Sequence, residues 1–252
     1  MTAAQIGAAQ FTTAQVALVT AAIFLSAMVT AVAGFGFGLM SVPLMSLAID
    51  LHSAVIVSSI VAVLANAVQA VLFRRHLDVR LGNRLLAASI VGLPIGYLVY
   101  ALVSDHVLRI ALGVGVVAAV AALARGLNLA HLGPRIDWLL GFLSGVLNTS
   151  ISTSGPPLVF DLQARKLGPD QFRGTINYIF LLSGSLGLVL FVAGGKVHVH
   201  ELRAGLIAAP ALGLGMWVGL PLRRRFSPER FRTLVLILLL AGAAGAVAKA
   251  FT

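Results

Sequence analysis

The spacing of its charges most limits what this chain can fold into. Residues 1 to 49, 51 to 73, 85 to 104, 110 to 124, 138 to 160, 174 to 195, 204 to 222 and 233 to 248 contain no Asp, Glu, Lys or Arg. Most of these eight runs approach the roughly 20 residues that cross a hydrocarbon core about 30 Å thick. Charged residues make up 10% of the 252 positions and the mean hydropathy is +1.01, against roughly 25% charged in soluble domains, so a water-soluble globule is excluded. In lipid every backbone amide must be satisfied within the protein, which leaves helices for segments that are apolar all round. The expected class is an all-α polytopic membrane protein with about eight hydrophobic segments, a multi-pass protein of the cell membrane.

The chain has no Cys, so disulfides, Cys-ligated zinc, iron–sulfur centres and thiol catalysis are ruled out together. The net charge of +10 sits in short groups between the apolar runs, a pattern that sets membrane topology and not a nucleic-acid face. Residues 1 to 15 lack the basic start of a cleavable signal. No Walker motif is present. Ser144, in Gly141-Phe142-Leu143-Ser144-Gly145, has no His in a later membrane run to act as its base. His198, His200 and Glu201 lie in a short loop without further ligands nearby. No enzyme activity, cofactor or metal is therefore expected.

Two runs are interrupted deep inside apolar sequence. The first break reads Gly34-Phe35-Gly36-Phe37-Gly38 and is followed by Ser41-Val42-Pro43-Leu44; the second runs from Asn148 through Thr149, Ser150, Ser152, Thr153 and Ser154 to Gly155-Pro156-Pro157. Pairing Pro43 with Pro157, an offset of 114, sets Gly34 against Asn148, Gly36 against Ser150 and Gly38 against Ser152, with Asn66 and Asn177 as near-counterparts further on. This weak internal repeat divides the chain into halves at about 1–125 and 135–252, within one integral membrane domain.

These residues resemble the sulfite exporter TauE/SafE family of membrane permeases. The likeness covers nearly the whole chain. It rests on the glycine-rich break ending in Val42-Pro43-Leu44, on its second copy from Ser144-Gly145 to Gly155-Pro156-Pro157, and on the turns Phe73-Arg74-Arg75-His76-Leu77-Asp78 and Gly195-Lys196-Val197-His198. The resemblance implies a permease for small sulfur-containing anions such as sulfite, sulfonates and sulfoacetate. In the second copy, Asn, Thr and Ser replace most of the glycines.

Topology follows from the rule that cytoplasmic loops carry the excess of Lys and Arg. If every run crosses once, the basic residues divide nine to nine. If the broken fifth run enters and returns as a hairpin, Arg74, Arg75, Arg80, Arg84, Arg125, Arg135, Arg165, Lys166, Arg173 and the five arginines from Arg223 to Arg232 share one side, 14 in all, leaving Arg109, Lys196, Arg203 and Lys249 opposite. The hairpin restores the bias. Helix punctuation agrees, with Ser154 as N-cap, Pro156 and Pro157 in the first turn and Gly168-Pro169 as a stop. By the repeat, Ser41 and Pro43 should begin a matching half-helix that ends near Asp50. Each half is then a broken, re-entrant hairpin plus three crossings, an odd number that inverts the halves. Residues 16 to 33 alone could span, so the side of the N-terminus stays open.

Irregular backbone at membrane depth persists where it is buried in protein or lines a wet cavity. Two half-helix N-termini aimed at the midplane carry free N–H groups and partial positive charge, which favours an anion. The expected ligand-contacting set is Gly34, Gly36, Gly38, Ser41, Pro43, Asn148, Thr149, Ser150, Ser152, Thr153, Ser154, Gly155 and Pro156 at the breaks, with Asn66 and Asn177 on the adjoining helices. The expected partners are a small anion, the bilayer and a second copy of the chain, with no nucleic acid. All eight acidic residues fall at run ends or in loops.

Overall fold

A computed structural model describes residues 11–125, 134–165 and 167–222. Nine α-helices occupy them: α1 Thr13–Ala33, α2 Phe37–Met45, α3 Leu51–Phe73, α4 Val79–Leu102, α5 Asp105–Arg125, α6 Pro134–Ile151, α7 Gly155–Ala164, α8 Pro169–Ala193 and α9 Val199–Leu222. A short 3-10 turn, Arg74–His76, joins α3 to α4. The five helices α1, α3 (extended by that turn), α4, α8 and α9 are long and apolar enough to cross a membrane. The last expected segment, 233 to 248, and the Arg223 to Arg232 group lie outside the described residues.

Local chemistry sets the helix ends. Thr12 and Gln15 form a reciprocal capping box at the start of α1, and the Asp50 and Asp78 carboxylates accept the N–H groups of Ser53 and Leu81 to start α3 and α4. Both long apolar runs break where the sequence reading placed the interruptions. α1 stops at Gly34, which is left-handed (φ 88°) and donates its N–H to the Thr30 carbonyl. α6 stops at Ser152, also left-handed (φ 53°), whose N–H bonds the Asn148 carbonyl.

Two expected details are corrected. α2 begins at Phe37 and not at Ser41 or Pro43, because the two left-handed glycines, Gly34 and Gly36, finish the turn earlier; Ser41 and Pro43 lie inside α2. The ends of α1 and α6 (Ala33, Ile151) and the starts of α2 and α7 (Phe37, Gly155) and of α3 and α8 (Leu51, Pro169) each differ by 118 positions. That is one helical turn from the offset of 114 given by the prolines.

Each broken run folds back on itself. Gln15 in the first turn of α1 donates its Nε2 to the Ala48 carbonyl just past α2, at 3.0 Å. Asp137 in the first turn of α6 is fully buried and pairs with Arg165 at the end of α7 and with Arg84 of α4. Arg165 also reaches Asp161 Oδ2 at 3.2 Å. With 9 and 10 residues, α2 and α7 are about 13 and 15 Å long, half the hydrocarbon thickness.

Around these hairpins α1 packs along α9, α4 along α6, and α3 against α8, with α3 also meeting α9 and α8 meeting α4. Backbones approach closely in the outer pairs: a β-carbon at Gly96 or Gly145 would overlap backbone oxygens of Val146 or Ser89 between α4 and α6, and one at Gly215 would overlap the Phe24 carbonyl between α9 and α1. Polarity is turned outside in. Leu102, Leu206 and Trp217 are 81%, 72% and 74% exposed, while Ser58, Gln69, Thr149 and Asn177 are fully buried. Such a surface suits hydrocarbon and such an interior suits interhelical hydrogen bonding.

The candidate site between two broken helices

The tips of the two hairpins meet. Gly38, in the first turn of α2, lies so close to the Ser152 carbonyl that any β-carbon there would overlap it. Ser152 Oγ lies 3.3 Å from both Ser58 Oγ and Ser59 Oγ of α3, and Ser58 Oγ is 2.7 Å from Ser41 Oγ. A run of hydroxyls thus ties α2, α3 and the second break together.

Between the tips lies a cavity of about 40 Å³, walled by the start of α2 (Gly36, Phe37, Gly38, Leu39), by Ser59, Ala62 and Asn66 of α3, by Asn148, Ser152, Ser154 and Gly155 of the second hairpin, and by Phe180 and Gly184 of α8. A space of this size is large enough to admit water. Among the described residues its walls carry hydroxyl and amide groups and no charged side chain.

Seven expected residues reach this wall: Gly36, Gly38, Asn66, Asn148, Ser152, Ser154 and Gly155. The others stand behind it. Gly34 accepts a hydrogen bond at its carbonyl from Asn177 Nδ2 (2.9 Å). Thr149 donates to the Leu93 carbonyl of α4 (2.7 Å), while Ser150 and Thr153 bond nearby backbone carbonyls. Ser41 pairs with Ser58, and Pro43 and Pro156 are buried. Ser154 occupies the N-cap position of α7 but makes no cap hydrogen bond, because its backbone is already helical (φ −75°, ψ −11°).

Phe37, Leu39, Ser59, Ala62, Phe180 and Gly184 are the contributors missed in the sequence. Ser59, Ala62 and Asn66 recur at intervals of three and four, which places them on one face of α3. That spacing is the signal that could have found Ser59 and Ala62.

The two half-helix ends are not equivalent as donors. The first N–H groups of a helix have no carbonyl one turn earlier, α2 has no side-chain cap, and its first residues, Phe37, Gly38 and Leu39, line the cavity. In α7, Pro156 and Pro157 carry no N–H. Donor capacity is concentrated on α2.

At the end of the bundle remote from Arg74, Asp50, His52 and Asp105 place ligand atoms within 4.8 Å of one another. Their carboxylates are engaged: Asp50 caps α3, and Asp105 accepts the Leu51 N–H and the Arg109 guanidinium. Arg109 also donates to the Ser46 carbonyl that ends α2. Glu201 is buried and accepts from Ser53 Oγ and the His198 N–H. These groups hold helix ends in place.

Over residues 19–246 the chain matches the profile of the family described as Sulfite exporter TauE/SafE. It is 31% identical over 100 residues to the "Probable inner membrane transporter protein TsaS" of Comamonas testosteroni, a stretch covering 39% of this chain and 42% of that one. The matched stretch is thus less than half the length of that relative. No solved structure matches. A family match over most of the chain, on an all-helical fold with five membrane-length apolar helices, establishes a multi-pass membrane protein that belongs to the sulfite exporter TauE/SafE family.

Proposed function

We propose that the chain is a secondary transporter that moves a small anion, a sulfur oxyanion or organosulfonate such as sulfite or sulfoacetate, across the cell's inner membrane by alternating access around the cavity between the hairpin tips. The observation that carries this reading is the convergence of two uncapped half-helix N-termini on one small, uncharged, hydroxyl-lined cavity. Oriented amides and helix dipoles stabilise an anion. With no fixed cation among the described wall residues, the anion stays exchangeable, as turnover requires. The sulfur chemistry comes from the family and not from the geometry.

An inverted repeat is part of the proposal. Exchanging α1 with α6, α3 with α8 and α4 with α9 turns each packed pair into another packed pair: α1–α9 becomes α6–α4, and α3–α9 becomes α8–α4. The closed hairpins support the same arrangement. Arg74, Arg75, Arg80, Arg84, Arg135, Arg165 and Arg173 then lie at the cytoplasmic end, and Arg109, Lys196 and Arg203 opposite, with the start of α1.

Purified protein in proteoliposomes, offered sulfite, thiosulfate, sulfoacetate and acetate, tests this. Saturable transport of a sulfur anion in preference to acetate is expected. A preference for acetate over every sulfur anion refutes the substrate class, and single-channel currents refute the carrier.

A further inference from the structure

An anion at the first break faces an electrostatic conflict. Only Gly34, Phe35 and Gly36 separate the carbonyl end of α1 from the amide end of α2. The two ends carry roughly half a charge each, of opposite sign. At this separation the carbonyls of α1 oppose the amides of α2, and the break as a whole would attract an anion weakly.

The chain places a cation on the opposing end. Arg173, in the second turn of α8, lays its stem across the break, so that a β-carbon at Gly34 would lie 2.7 Å from Arg173 Cγ. Its Nη2 donates to the Val32 carbonyl in the last turn of α1, at 3.3 Å. One turn further along α8, Asn177 Nδ2 donates to the Gly34 carbonyl at 2.9 Å. The guanidinium is held by the Phe73 ring, 5.9 Å from its centroid, and by Asp170 Oδ1 at 3.4 Å. Its side chain is 13% exposed, so water screens it only partly.

At the second break Ser152 N–H bonds the Asn148 carbonyl just as Gly34 N–H bonds that of Thr30 at the first, but the final carbonyl of α6, Ile151, accepts from the Thr153 hydroxyl and not from a cation. That break also has fewer amides to offer, because of Pro156 and Pro157. The asymmetry assigns the work of attraction to α2, and α2 depends on what offsets its neighbour.

We infer that Arg173 is the positioning residue that sets the charge preference of the site: by neutralising the carbonyl end of α1, it leaves the amide end of α2 to act on a bound anion. The inference rests on the transporter reading and names a residue outside the cavity wall that determines which ligands the wall accepts.

The test measures KM and maximal rate for sulfite in proteoliposomes containing the full chain, wild type or carrying Arg173→Gln, Arg173→Lys or Asp170→Asn. With Arg173→Gln, KM should rise roughly tenfold while the maximal rate changes less. Arg173→Lys keeps the charge and should stay within about threefold of wild type. Asp170→Asn removes the acid that partly offsets the guanidinium and should lower KM. A folded Arg173→Gln protein with wild-type KM overturns the inference, as does equal loss with Gln and Lys, which would mark a role in shape alone. If Arg173→Gln does not reach the membrane, Asp170→Asn decides, and a KM that stays level or rises overturns the inference. Wild-type protein that moves none of sulfite, thiosulfate, sulfoacetate and acetate refutes the transport reading and this inference with it; wild-type transport with an unaltered Arg173→Gln KM refutes this inference alone.

Discussion

Gly38 and Ser152, 114 positions apart in the chain, bring the tips of the two hairpins into backbone contact, with the Ser152 carbonyl occupying the space that a β-carbon on Gly38 would need. Neither side of this contact is the end of a flexible side chain, so it has little freedom to give. Gly38→Ala is expected to force the hairpins apart and lower stability by about 1–3 kcal/mol, with transport lost before folding is. Thermal stability in detergent, measured beside uptake, checks this.

Gly155 and Gly36 behave differently. A β-carbon at Gly155 meets Phe35 at 3.6 Å and Phe180 at 3.9 Å, which are ordinary contacts, so Gly155→Ala should leave the fold unchanged. Gly155→Leu should keep the protein in the membrane and abolish transport by filling the cavity. Gly36 has open space around it but a φ of 93°, so Gly36→Ala should cost about 1–2 kcal/mol through backbone strain alone. Wild-type rates for Gly155→Leu would refute the placement of the site.

Ser154→Ala should change stability by less than about 0.5 kcal/mol, because the hydroxyl makes no cap hydrogen bond. Any rise in KM in this variant then reports contact with the ligand. Unfolding midpoints and uptake kinetics measured on the same preparation separate the two effects.

Asp137 is fully buried between Arg84 and Arg165, each about a third exposed. Replacing both arginines by Gln strands a buried carboxylate and should destabilise the protein by about 2–3 kcal/mol. Adding Asp137→Asn should recover much of that loss. This non-additivity, read from thermal midpoints of the single, double and triple variants, would be absent if the cluster were only a solvated surface group.

Single cysteines at Arg75, Gly168 and Lys196 test the second hairpin. Positions 75 and 168 should react with an impermeant thiol reagent from the cytoplasmic face and position 196 from the opposite one. Labelling of 75 and 168 from opposite faces would falsify the hairpin topology.

Charge spacing made the helices legible, because a run without charge in this chain has no fold open to it other than a helix in lipid, and the glycines at 34, 36 and 38 and the polar stretch from Asn148 to Ser154 marked the two breaks inside such runs. The start of α2 was displaced by four residues because Pro43 reads as a first-turn proline, whereas two left-handed glycines end the turn earlier. Phe180 and Gly184 were missed for a different reason: helices apolar all round carry little periodic signal to show which face turns inward. Asp137 stands at the edge of an apolar run, where a carboxylate is ordinarily solvated. Its burial depends on Arg84 and Arg165, which only the folded chain brings to it.

The close pairing of α1 with α9 and of α4 with α6 has a mechanical consequence. Each pair takes one helix from either side of the midpoint of the sequence, so the two halves of the chain are laced together and cannot move past each other as rigid blocks. The close pairs are hybrids, α1 with α9 and α6 with α4, each carrying one hairpin tip, and the tips meet through Gly38 and Ser152 and the hydroxyls of Ser58 and Ser59. A cut in the chain near position 130 would therefore leave each fragment with one helix of both pairs, so that neither fragment alone would hold a complete pair.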